Sequence, residues 1–236
     1  MHRALRCQKA RRKRYGGRER RGTIPNQVSI DLRPDIANRR ERFGDWEADL
    51  VIGAGHQQAL VTINERTSRY ALIAHAPAKT AQNVSDAILS LLTPFSDCVH
   101  TLTTDNGKEF TDRLFANRER APSGNHEFDQ LCQQFGIEHR LTRPRTPKTN
   151  GMVERFNGRI ADVLKTHRFS GSEDLEQTLL RYVALYNHQL PQSALKSKTP
   201  MQAMKEWHQS HPHLFNKRPY DRPGCDTWCF VLASPF

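Results

Sequence analysis

The order of periodicities along this 236-residue chain predicts an α/β fold: a mixed five-stranded sheet flanked by helices on both faces. Three observations carry that expectation. Residues 45–52, Asp-Trp-Glu-Ala-Asp-Leu-Val-Ile, alternate with period two, and two more short apolar runs follow closely. From Thr80 the apolar residues recur at helical spacing instead. Strand-like and helical segments then alternate before a helical C-terminal part.

Residues 1–40 are basic, with Gly16, Gly17, Gly22, Pro25 and Pro34 and little periodicity, which predicts a mobile arm and a linker with a short helical turn at 35–42. In 45–52, Trp46, Ala48, Leu50 and Ile52 point one way and Asp45, Glu47 and Asp49 the other. One face is therefore expected to be buried, and at least one of the acids simply solvated. Residues 59–64 and 69–74, joined by a turn at 65–68, complete an antiparallel meander. Thr80 caps a helix carrying Val84, Ile88, Leu91 and Leu92, which Pro94 stops. A fourth strand at 98–103 runs into Thr104-Asp105-Asn106-Gly107, a turn that leaves Asp105 exposed. Residues 111–126 are polar and read as a loop or partly helical insertion. Phe128, Leu131, Cys132 and Phe135 mark a second helix closed by Gly136, and 137–141 is the fifth strand.

Residues 143–151 form a basic loop kept out of a helix by Pro144 and Pro147, with Asn150 and Gly151 marking the start of the next helix. In that helix Met152, Phe156, Ile160, Val163 and Leu164 form an apolar stripe. Glu154 sits about 140° from the stripe centre, so a carboxylate is held out directly behind a cationic loop. A further helix over 173–189 turns Leu175, Leu179, Tyr182, Val183 and Tyr186 inward, with Ser172 as its N-cap. Pro200 opens another through Trp207, and the chain beyond 211 wraps the surface.

Hydrophobic residues make up 36% of the chain, and mean hydropathy is −0.74. No apolar run approaches the roughly 20 residues of a membrane span, and no secretory signal is evident. A non-membrane, cytoplasmic location is expected. Net charge is +11, of which residues 1–22 hold +9. Such an arm suits phosphate neutralisation on nucleic acid. Five scattered cysteines include no C-x-x-C pair; Cys225 and Cys229 with His208, His211 and His213 fit no usual zinc spacing.

Asp49, Asp105 and Glu154 come from three distant segments. If folding gathers them, their charges repel by about 4 kcal/mol per pair at about 4 Å and an effective dielectric near 20. Two divalent ions would compensate, and oxygen-only ligands favour Mg²⁺ or Mn²⁺. Asp-Trp-Glu-Ala-Asp-Leu-Val-Ile-Gly (45–53), Thr-Thr-Asp-Asn-Gly-Lys-Glu-Phe (103–110) and Pro-Lys-Thr-Asn-Gly-Met-Val-Glu-Arg-Phe-Asn (147–157) resemble the three signature blocks of insertion-sequence transposases of the DDE superfamily, with a retroviral-integrase catalytic core. Residues 186–200 resemble that family's post-catalytic stretch. The resemblance implies an RNase H-like fold, a catalytic and metal-binding triad of Asp49, Asp105 and Glu154, and two Mg²⁺ or Mn²⁺ ions per site. It also implies nicking at transposon ends, then strand transfer to target DNA by a homo-oligomer close to the bacterial nucleoid. Beside it stands our own expectation that Arg143, Arg145, Lys148, Asn150, Arg155 and Arg159 serve DNA binding.

The expected organisation is an arm and linker (1–40), a catalytic core (41–170) and a helical extension and tail (171–236). The separation of Asp105 from Glu154 is longer than the family usually shows, and the excess is assigned to 111–126. Relatives carry helix-turn-helix segments before the core, which the basic arm is too short to hold; the expectation is an N-terminally shortened product. Two alternatives stay open at this point: a catalytically impaired DNA-binding remnant and an RNase H-type nuclease.

Overall fold

The computed structural model describes residues 30–53, 58–112, 126–142, 150–216 and 218–220. The arm at 1–22, most of the 111–126 insertion, the loop cations Arg143, Arg145 and Lys148, and Cys225 and Cys229 lie outside the described residues. Five strands, β1 (Asp45–Ile52), β2 (Ala59–Glu65), β3 (Ala71–Ala76), β4 (Thr101–Thr104) and β5 (Glu138–Leu141), form one sheet in the order β3-β2-β1-β4-β5. β1, β2 and β3 are antiparallel, whereas β4 lies parallel to β1 and β5 parallel to β4. The tight β2–β3 turn is organised by buried Glu65, whose carboxylate accepts from Thr67 N (2.9 Å), Ser68 Oγ (2.6 Å) and Gly44 N (3.2 Å). Parallel neighbours need a crossover, and α2 (Ala81–Leu92) and α3 (Glu127–Gln134) supply the two.

Helices cover both faces. On one, Trp46, Ala48, Val61 and Ile63 meet α2, α3 and, from α6 (Pro200–Ser210), Met201 and Met204. On the other, Ala71 and Ile73 meet Phe156 and Ile160 of α4 (Gly151–Thr166) and Leu179, Val183 and Tyr186 of α5 (Ser172–His188). Thr80 caps α2 by accepting from Asn83 N, and Thr199 with Gln202 forms a reciprocal capping box on α6. α1 (Asp35–Arg39) is the short turn in the linker. Among the described residues no helix is long and apolar enough to cross a membrane.

Several expectations are corrected. The acids of β1 do not share a solvated face: Asp45 and Glu47 are each 1% exposed and Asp49 is half-buried, because α4 covers that side. Asp45 pairs with Arg42 and accepts from Thr101 Oγ1. The fourth strand begins at Thr101 rather than residue 98, because Pro94 opens a 3-10 turn over Thr93–Cys98. Phe135 is half exposed beyond the end of α3 instead of packing inward. Gly171, not Ser172, caps α5. Beyond α6 the chain lies over the surface, where the half-buried Phe215 packs its ring 5.1 Å, centroid to centroid, from Phe43.

Candidate active site

Two acids come level where β1 and β4 stop pairing. The parallel register sets Asp45 beside Thr101, Trp46 beside Leu102 and Glu47 beside Thr103. The same offset, carried two residues further, sets Asp49 beside Asp105, just past the end of β4. Pleating turns Trp46, Ala48 and Leu50 toward the α2–α3 side and Glu47, Asp49 and Val51 toward α4. Glu154 stands exposed in the first turn of α4.

Three successive residues of β1 hold α4 in place. Glu47 Oε2 accepts from Met152 N (2.9 Å) and Val153 N (3.3 Å), so a strand carboxylate caps a helix some 105 positions further on. Negative charge is favoured at that helix end. Ala48 O accepts from Asn150 Nδ2 (3.0 Å). Asp49 Oδ2 accepts from Asn157 Nδ2 (2.9 Å), whose Oδ1 accepts from Thr62 Oγ1 (2.7 Å). These bonds set the rotation of α4 on the sheet, and with it the position of Glu154.

The turn bearing Asp105 is equally constrained. Asp105 Oδ1 accepts from Gly107 N (3.0 Å), and Asn106 Nδ2 donates to Thr142 O (2.7 Å), clipping the end of β4 to the end of β5. A Cβ at Gly107 would come within 2.4 Å of Glu109 Oε2 and 3.1 Å of Asp105 Oδ1, so a side chain there would have to displace the Glu109 carboxylate. Glu109 is buried and pairs with Lys79 (2.8 Å), and Phe110 anchors the segment edge-on against Phe128.

Desolvation pushes the Asp49 carboxyl up to about 6; the charges of Asp105 and Glu154 add to the shift, and bonds from Leu50 N and Asn157 oppose it. Asp105 is raised by partial loss of water and then by Glu109, against Gly107 N and Lys79. Glu154 is raised by desolvation and the charge of Glu47. Asp49 thus feels the charge of both other carboxylates, each carried by a different segment. Among the described residues no three His, Cys, Asp or Glu side chains are gathered as a ready set of metal ligands. Asp49 and Asp105 instead turn oxygens toward N–H groups.

The expected DNA contacts fare unevenly. Asn150 is 3% exposed and engaged with Ala48 O, so it seats α4 and its side chain is not offered to DNA. Arg155 and Arg159 are exposed on α4, with the Arg159 guanidinium 5.5 Å from the Tyr186 ring centroid. Sequence reasoning misses Glu47, Asn157 and Thr62. Asn157 has a signal, since it follows Asn150 by two helical turns and lies on the same side.

A model of the integrase core domain matches residues 39–147, and a second integrase core model matches 135–200. The chain belongs to the integrase core family. This integrase core is 30% identical over 208 residues to the transposase for insertion sequence element IS4351 of Bacteroides fragilis, covering 87% of the chain and 58% of that relative. It is 32% identical over 155 residues to the transposase for insertion sequence element IS1086 of Cupriavidus metallidurans, covering 64% of the chain and 40% of the relative. The chain therefore spans well under two thirds of these relatives' length. Among solved structures, the catalytic core domain of BIV integrase matches with a TM-score of 0.51 at 22% identity, over 70% of this chain and 97% of that one. The fold is accordingly the RNase H-like fold of retroviral integrase cores.

Proposed function

We propose that this integrase core is a DNA transposase that nicks the ends of an insertion sequence and joins the freed 3′-hydroxyl to target DNA. The observation that supports the reading is the β1–β4 register, which, carried two residues beyond Glu47 and Thr103, brings Asp49 level with Asp105, beside the helix that bears Glu154 and that Glu47 and Asn157 seat on β1.

Asp49, Asp105 and Glu154 are assigned as the carboxylates that hold two Mg²⁺ or Mn²⁺ ions. The donor set fits, being all oxygen, and the Asp49 carboxyl, raised by burial and then by the charges of Asp105 and Glu154, is one whose ionised form a bound cation would stabilise. Such ions, when bound, activate the attacking oxygen and stabilise the leaving oxygen of an in-line phosphoryl displacement. The chain's own contribution is position: Gly107 N orients Asp105, Asn157 orients Asp49, and Glu47 fixes the helix bearing Glu154. Arg155 and Arg159, with Arg143, Arg145 and Lys148 of the basic loop, meet DNA phosphates and set register without reading sequence. In this reading residues 41–170 carry the chemistry, 171–236 brace it, and the 1–40 arm adds cationic reach. The working form is a homo-oligomer on DNA.

Asp49→Asn, Asp105→Asn and Glu154→Gln should each abolish Mg²⁺-dependent nicking of duplexes taken from the DNA flanking the gene, with duplex binding nearly unchanged. Full activity in any one variant removes that residue from the site. Preferential cleavage of RNA–DNA hybrids would replace the transposase reading with that of a nuclease.

A further inference from the structure

At the N-terminal end of α4, around Glu47, lies a cavity of about 530 Å³ whose lining includes Arg33, Arg40, Arg66, Arg69 and Arg155 and one acid, Glu47. That acid is fully engaged: Oε1 pairs with Arg66 and Oε2 accepts from the α4 amides. Arg33 is 7% exposed; its Nη2 donates to Thr103 Oγ1 (2.8 Å), but its buried Nε has no partner. The buried Nε of Arg69 has none either. Among the described residues no acid pairs with Arg40, Arg69 or Arg155. Desolvation and the nearby Arg66 push Arg33 down to about 10; desolvation, Arg40 and Arg155 lower Arg69. Arg40 and Arg69 also hold positive φ of 60° and 59°, uncommon for residues other than glycine. Five cations from three segments thus converge on a cavity whose lining, among the described residues, includes one carboxylate, already used. Guanidinium groups match phosphate oxygens in paired, charge-assisted hydrogen bonds.

We infer that this cavity is an oxyanion site that grips a backbone phosphodiester of the DNA lying along the carboxylates. The inference rests on the transposase reading, because the cavity shares Glu47 and α4 with Asp49 and Glu154. It assigns DNA holding to Arg33, Arg40, Arg66 and Arg69, far in sequence from the basic loop.

The test uses the whole chain in metal-free buffer and a short DNA duplex of arbitrary sequence, with affinity measured against KCl concentration. Arg40→Gln and Arg69→Gln remove residues whose side chains, among the described residues, hold no other side chain, and an unchanged unfolding midpoint checks their fold. Each should flatten the slope of log affinity against log salt by about 0.9 for every phosphate that is no longer neutralised. Lys198→Gln, which removes the same charge away from the cavity, should leave the slope unchanged. Inorganic phosphate should raise the midpoint of the parent protein but not of Arg69→Gln. Parental slopes in both arginine variants overturn the proposal, as does a phosphate effect through Arg69 without a change in duplex slope, which would mark a site for free oxyanions. Asp105→Asn separates the two readings: if it still nicks DNA while the arginine variants show flattened slopes, the catalytic assignment fails and the phosphate site stands.

Discussion

Asp49 is half-buried and flanked by like charge, and its stability consequences follow from sign. Its carboxyl ionises near 3.9 when unfolded and at about 6 when folded, so the folded state holds the proton more tightly. The neutral form's stability is present below the unfolded value and lost as pH climbs toward 6. Above that the penalty is about 2–3 kcal/mol at most. In metal-free solution Asp49→Asn should therefore melt above the parent near neutral pH, and the gain should vanish near pH 4. Glu65, raised to about 7 by burial, adds a slope of the same sign to both proteins and cancels in the comparison. Mg²⁺ should stabilise the parent and not the variant. A variant melting at or below the parent near neutral pH would deny the penalty.

α4 and β1 act as one unit because Glu47 joins them while neutralising Arg66. Glu47→Gln keeps the shape but leaves Arg66 buried without its counter-charge, which should cost about 3–5 kcal/mol in denaturant titrations. The folded fraction should still bind DNA yet nick it poorly, since Glu154 loses its alignment. A loss of less than about 1 kcal/mol, within the range of an exposed pair, would show that the pair is not the anchor. The legibility of the elements follows from distance along the chain. The alternation of 45–52 and the caps at Thr80 and Thr199 are local patterns and can be read directly. The role of Glu47 cannot, because its helix partners are over a hundred residues away and an acid beside Asp49 looks like surface. The Gly171 cap escapes because Asp174 turns back to accept from Ser170, leaving Ser172 inside the helix. The arginine cavity is illegible for the same reason as Glu47: each of its cations, taken singly, reads as solvated charge.

Across the whole molecule the sheet divides into a meander of short-range pairings and a parallel half of long-range ones. Asp45 meets Thr101 across 56 positions, and Glu47 meets α4 across 105. Closing such loops costs entropy before any contact rewards it, which slows folding. Pulse-labelled hydrogen exchange during refolding should find amides of β2 and β3 protected before those of β4 and β5; the reverse order would contradict that reasoning. The register at the strand junction then sets when the candidate site can assemble. On that order a newly made molecule should seat Asp49 on a finished meander before Asp105 and Glu154 reach it. Under the proposed function, the gathering of these three carboxylates should therefore be among the last steps by which the polypeptide completes itself.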